Sequence, residues 1–214
     1  MLLAATLIGV AGVEAATAED LVTAAMEQTG HLVTYDGSYR RIGYPGGDVP
    51  DTIGVCTDLV VRAYRAIGID LQQRVHEDMS VAFHDYPALW GLTRPDPNID
   101  HRRVPNLQTF FGRQGTTLAI STDPDEYTAG DLVTWMLPGN LPHIGIVGSA
   151  RSVDGRRPLI IHNIGRGPEA ADMLFRYPIT GHYRYPGEAP GDPGSPAIGG
   201  EEPAGSVTIP ERRQ

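Results

Sequence analysis

The chain has 214 residues, 41% of them apolar and 20% charged, which is enough for one domain with a full core. A net charge of -9 argues against a nucleic-acid binder, whose contact face would be basic, and a single cysteine excludes an internal disulfide. The 26 glycines and 18 prolines imply many turns and irregular segments.

Taken in chain order, the first segment is apolar from Leu2 to Val13, with Ala16, Thr17 and Ala18 placed as a cleavage site before Glu19. Residues 1–18 therefore read as a secretory signal peptide, although no Lys or Arg precedes the apolar run. The run is short for a membrane span. The expectation is a periplasmic or secreted protein with no stable membrane span after cleavage. "EDLVTAAMEQTG" (19–30) reads as a short helix ended by Gly30, and residues 35–54 as a loop rich in Gly, Pro and Asp. From Cys56 to Ile67 the apolar residues Leu59, Val60, Ala63, Tyr64 and Ile67 form one helical face, and Gly68 is a natural stop.

Residues 70–128 mix short helices with turns and read as a cap or insertion. Within them "PNLQTFFGRQG" (105–115) has Pro in its first turn and Gly at its end, a helix signature. Strand patterns follow at 130–137, 143–150, 158–164 and 173–185, with a hairpin connection at 152–158. Helices first and an antiparallel sheet after them make an α+β domain over 19–186. Residues 187–214 are rich in Pro, Gly and acid and read as a disordered tail.

The chemistry centres on Cys56, which opens a helix. Helix N-terminal dipoles favour a negative charge there and are expected to lower the thiol pKa. A lone thiol in an oxidising compartment is an intermolecular partner, an inert buried group or a reactive one. A nucleophilic thiol needs a base. Alternation places His143, Gly145 and Val147 on one face of their strand, and Ile160 with His162 on one face of the next, with Asn163 on the other. If the two strands are neighbours, His143 and His162 share a face, and Gly145 and Gly148 leave room for close approach. Cys56 with His143 and His162 is a candidate set for thiol catalysis, in which a base takes the thiol proton and a third polar group orients the imidazole.

"YPGGDVPDTIGVCTDLV", "GDLVTW", "PHIGIVG" and "IIHN" resemble the NlpC-type cell-wall peptidases of the papain-like clan. More closely, residues 20–186 resemble the bacterial domain-of-unknown-function 1287 family, through "GVCTDLVVRAYRAIGIDLQ", "HEDM", "LTRPDPNIDHRRVPNLQTFF", "LPHIGIVG", "HNIG" and "ITGHYRY". The resemblance implies a papain-like core with Cys56 as nucleophile, His143 as base, His162 as orienting residue and Tyr44 near the oxyanion. Asn163 is an alternative third residue. The sequence departs from the NlpC pattern in Val55 before the cysteine, Thr57 and Asp58 after it, and the long stretch between Cys56 and His143.

The resemblance implies an exported cysteine hydrolase that cuts an amide bond in peptidoglycan, as peptidase or amidase. A catalytically weak wall-binding module and a thiol acyltransferase or thioesterase of the same fold are the alternatives. Asp58, in the first turn of the cysteine helix, reads as a capping or dipole partner. His101, Arg102 and Arg103 read as a solvated segment with Asp100 as a helix N-cap, or as a grip on a substrate carboxylate. No cofactor or metal is expected: "HEDM" (76–79) would need a histidine where Ser80 stands to be a zinc helix. A zinc site from His143, His162 and His101 lacks a carboxylate at recognised spacing.

Overall fold

The structure, a computed structural model, describes residues 16–186. Most of the expected signal segment and the whole of the expected tail lie outside the described residues.

Helix α1 (Ala18–Glu27) opens with a capping box. Thr17 Oγ1 accepts from the Asp20 amide at 3.2 Å, and the Asp20 carboxylate accepts from the Thr17 amide at 2.8 Å. Thr17 and Ala18, which the expected cleavage would remove, thus cap and begin this helix. Two short strands, β1 (Thr34–Tyr35) and β2 (Ile53–Gly54), pair in parallel and set Tyr35 opposite Gly54, two residues before the cysteine. Helix α2 (Cys56–Ala66) follows at once and buries Leu59, Val60, Val61, Ala63 and Tyr64. Helix α3 (Leu71–Ala82) is capped by Asp70, whose carboxylate accepts from the Gln72 amide at 3.1 Å. Helix α4 (Val104–Gln114) carries Pro105 in its first turn.

Strands β3 (Thr116–Thr117), β4 (Leu132–Leu137), β5 (Leu141–Arg151), β6 (Pro158–Asn163), β7 (Pro168–Ala171) and β8 (Ile179–Arg184) form one antiparallel sheet in the order β3-β8-β4-β5-β6-β7. The fold is α+β, helices first and antiparallel sheet after. The sequence pattern at 173–185 covers only β8 as strand, while β7 lies in a stretch without strand patterning.

Alternation along β4, β5 and β6 divides the core in two. Leu132, Ile144, Ile146 and Ile161 point to the helices and join the apolar faces of α1 to α4. Val133, Trp135, Val147 and Ile160 point the other way, onto Tyr127, Met173 and Leu174. Trp135 Nε1 donates to the Leu174 carbonyl at 2.8 Å, so the indole is both buried and satisfied. Leu71, Val75, Met79, Leu107, Phe110 and Phe111 belong to the same core as the α2 face, so α3 and α4, within the stretch read as a cap, are integral to the domain. Asp131, at the head of β4, is fully buried and accepts from His182 at 2.9 Å and Arg184 at 2.7 Å. The acid in "GDLVTW" therefore ties β4 to β8.

Candidate active site

Cys56 is the first residue of α2, after the extended N-cap Val55, and only 4% exposed. First-turn amides of a helix have no acceptor within it, and the Thr57 amide favours the thiolate of Cys56. Two further donors reach the sulfur from elsewhere: the Tyr35 hydroxyl, brought in by the β1/β2 pairing, and the Ile144 amide of β5. Desolvation outweighs these donors and, with the Asp58 carboxylate, pushes the thiol up to about 11. The expectation of a depressed thiol pKa is therefore corrected: the helix start is present, but burial of the sulfur dominates it.

His143 precedes Ile144, whose amide meets the sulfur. It stands on the sheet face that carries Trp135, its cross-strand partner, with ring centroids 6.0 Å apart. Its Nε2 lies 3.1 Å from His162 Nδ1, the rings nearly perpendicular. The two strands thus bring both histidines to one face, and the bond leaves His143 Nδ1 as the nitrogen open to a further partner. Gly145 makes this approach feasible: a Cβ there would lie 2.6 Å from Ile160 Cγ2 and 3.1 Å from His162 Cβ. Desolvation first, and for His143 the neighbouring His162, lower the imidazoles to about 3 (His143) and about 4 (His162). Arg176 adds to the lowering at His162. At neutral pH both rings are uncharged, and burial makes each a weaker base than a solvated imidazole.

The remaining sequence candidates fall in different places. Tyr44 is 43% exposed and packs edge-on against His76 at 4.9 Å; the tyrosine on the sulfur is Tyr35. The Asp58 carboxylate accepts from the Val55 amide at 2.7 Å, as a capping role requires, and from Arg102 Nε at 2.8 Å and Nη2 at 3.0 Å. Arg102 also donates to the carbonyls of Ser38 and Asp36 at 3.0 and 3.1 Å. Neither Asp58 nor Arg102 is solvated, and each is spent on the scaffold beneath Cys56. His101 is buried too, and desolvation lowers it to about 4.

Arg103 lies over the Trp90 ring at 4.0 Å and pairs with Asp100 at 3.2 Å. Asp100 is not the N-cap of α4; that position is Arg103, and the Asp100 carboxylate accepts from the Asp96 amide. Asn163 is buried on the helix side of β6. Its Oδ1 accepts from the Gly165 amide at 3.1 Å and its Nδ2 approaches the Gly54 carbonyl at 3.5 Å.

Tyr35 and Glu169 are the site neighbours that sequence reasoning passed over. Tyr35 lies in a strand of two residues whose partner is far along the chain, so no local pattern marks it. Glu169 sits directly opposite His162 in the β6/β7 register. Among the described residues no group of three or more His, Cys, Asp and Glu side chains is arranged to hold a metal ion, and no helix is long and apolar enough to cross a membrane.

Three comparisons bear on this chain. Residues 22–185 match the family described as "Domain of unknown function (DUF1287)". A protein of Escherichia coli (strain K12), named uncharacterized protein YijF, is 49% identical over 173 residues, covering 81% of this chain and 84% of the relative. Among solved structures, NlpC1 from Trichomonas vaginalis aligns over 81% of this chain at 16% identity with a TM-score of 0.43, and this chain spans 46% of that protein's length.

Proposed function

The chain belongs to the domain-of-unknown-function 1287 family, and we propose that it is a cysteine hydrolase whose nucleophile is Cys56 and whose base is His143. One observation carries this reading. The Ile144 amide acts as a donor to Cys56, Ile144 is the residue next to His143, and His143 has its Nε2 engaged by His162 and its Nδ1 open. The ring lies on the sheet face away from α2, so the proposed proton transfer requires it to swing toward Cys56.

The burial that raises the thiol and lowers the imidazole favours a resting pair of neutral groups over a preformed thiolate and imidazolium. His143 Nδ1 takes the Sγ proton as sulfur attacks the substrate carbonyl. The Cys56 amide and the Tyr35 hydroxyl donate to the oxyanion that forms. The proton on Nδ1 then passes to the leaving amine. Water, deprotonated by the same nitrogen, attacks the thioester, the C–S bond breaks to release the acid, and the Nδ1 proton returns to Sγ. His162 accepts the Nε2 hydrogen of His143 throughout and so fixes its tautomer.

The substrate in this reading is an amide bond of peptidoglycan, and the site of action is the periplasm or the cell exterior. Both rest on the "PHIGIVG" and "IIHN" resemblance and the apolar N-terminal run. The burial of Cys56 favours one rival, a wall-binding module with weak turnover. Mass spectrometry of purified peptidoglycan incubated with wild type and with Cys56→Ala separates the two. New amine and carboxyl termini are expected with wild type alone. Unchanged material in both, with both proteins bound to it, would leave the binding module standing.

A further inference from the structure

His162 presents an unsolved hydrogen bond. Its Nδ1 is taken by His143, while its Nε2 is buried with no partner, in a side chain 2% exposed. That nitrogen borders a cavity of about 360 Å³ lined by Ile164, Arg166, Glu169, Met173, Arg176 and Tyr177, among others. Buried polar groups without partners are rare and costly.

The tautomers are coupled. For His143 to accept a proton at Nδ1 its own hydrogen must be on Nε2. His162 Nδ1 must then be the acceptor of the 3.1 Å bond, which puts the His162 hydrogen on Nε2, facing the cavity. The opposite arrangement places a hydrogen on His143 Nδ1 and disables it as a base. Whatever accepts from His162 Nε2 therefore selects the productive form. Arg166 and Arg176 are donors only. The Glu169 carboxylate is the strongest acceptor on the cavity wall. It stands across from His162 in the β6/β7 register, with Oε1 4.0 Å from Nε2. Its side chain is 43% exposed, so a rotamer change can close that gap without disturbing the core.

We propose that Glu169 is a positioning residue, which accepts the His162 Nε2 hydrogen and thereby holds His143 in the tautomer with Nδ1 free. This rests on the reading of His143 as the base.

The test uses the full chain labelled with 15N, as wild type, Glu169→Ala and Glu169→Gln, with circular dichroism to match the folds. Two-bond 1H–15N correlations at neutral pH report which ring nitrogen carries the hydrogen. In wild type both His143 and His162 are expected to carry it on Nε2. Glu169→Ala shifts both rings toward Nδ1–H, and Glu169→Gln, whose amide oxygen still accepts, restores the wild-type pattern. Hydrolysis falls about ten- to a hundredfold in Glu169→Ala and recovers substantially in Glu169→Gln. Identical tautomers in wild type and Glu169→Ala overturn the proposal. The tautomer measurement needs no substrate. A wild-type chain that cleaves nothing would sink the hydrolase and leave the hydrogen-bond role of Glu169 readable on its own.

Discussion

Arg102 holds Asp58 through two hydrogen bonds, Nε to Oδ1 at 2.8 Å and Nη2 to Oδ2 at 3.0 Å, and both side chains are shut off from water. The same carboxylate accepts from the Val55 amide, so the pair fixes the turn that delivers Cys56. Removing one partner leaves the other charge buried and alone. Arg102→Met is expected to cost about 3–5 kcal/mol of folding stability, measured by urea unfolding. A loss within 1 kcal/mol of zero, roughly the worth of a surface pair, would mean that water reaches the site.

The state of the thiol can be read directly. Burial places the Cys56 pKa at about 11, so alkylation by iodoacetamide should be slow at pH 7 and climb steadily through pH 9 and 10. Tyr35→Phe removes a donor that lowers this pKa and should slow alkylation further at every pH in that range. Faster reaction in Tyr35→Phe would mean that the phenol shields the sulfur more than it stabilises the thiolate.

Acid should unfold the domain early. His143, His162 and His101 are lowered to about 3, 4 and 4, against about 6.5 for a solvated imidazole. Each binds fewer protons folded than unfolded below that value. Their stabilisation is complete above about pH 6.5 and is lost as pH falls toward 4 and then 3, by at most about 1.4 kcal/mol per pH unit for each ring. Urea midpoints at pH 7, 6, 5 and 4 check this. His101→Met should flatten the decline by one proton's worth, and an unchanged slope would show that His101 is protonated in the folded state.

The third position of the proposed triad separates by face. His162→Ala should reduce hydrolysis by roughly one to three orders of magnitude while Cys56 and His143 remain. Asn163 points to the helix side and spends its Oδ1 on the Gly165 amide, so Asn163→Ala should act mainly on stability. The comparison of kcat with the unfolding midpoint for each variant decides it. A crippled but fully stable Asn163→Ala would move the orienting role to Asn163.

Much of this arrangement was legible in the sequence where a period repeats. The alternation of "HIGIVG" and "LIIH" placed His143 and His162 on one face, because strand parity is a local property. The cysteine helix showed itself through its apolar face and Gly68. What escaped depends on contacts far apart along the chain. Thr34 and Tyr35 are a strand only because Ile53 and Gly54 pair with them. "PEAA" at β7 has no branched or aromatic residue and is a strand because β6 offers it an edge. Arg102 looked solvated in "DHRRVP" because its partner Asp58 lies in another helix. The thiol pKa likewise depends on contacts far apart along the chain. The helix start is visible in the sequence, but the depth of the sulfur is set by tertiary packing.

The strand order has a bearing on how the protein behaves at high concentration. The longest strand, β5, with 11 residues, lies inside the sheet, while the two edges are β3, with 2 residues, and β7, with 4. Unpaired strand edges are where copies of a chain recruit one another into aggregates, and short edges offer few hydrogen bonds to a newcomer. The apolar stretches "HIGIVG" of β5 and "LIIH" of β6 are both held between neighbours on either side. Clumping of this domain should therefore track the fraction of molecules that have opened β5 or β6, and conditions that protect the fold should also keep the solution clear.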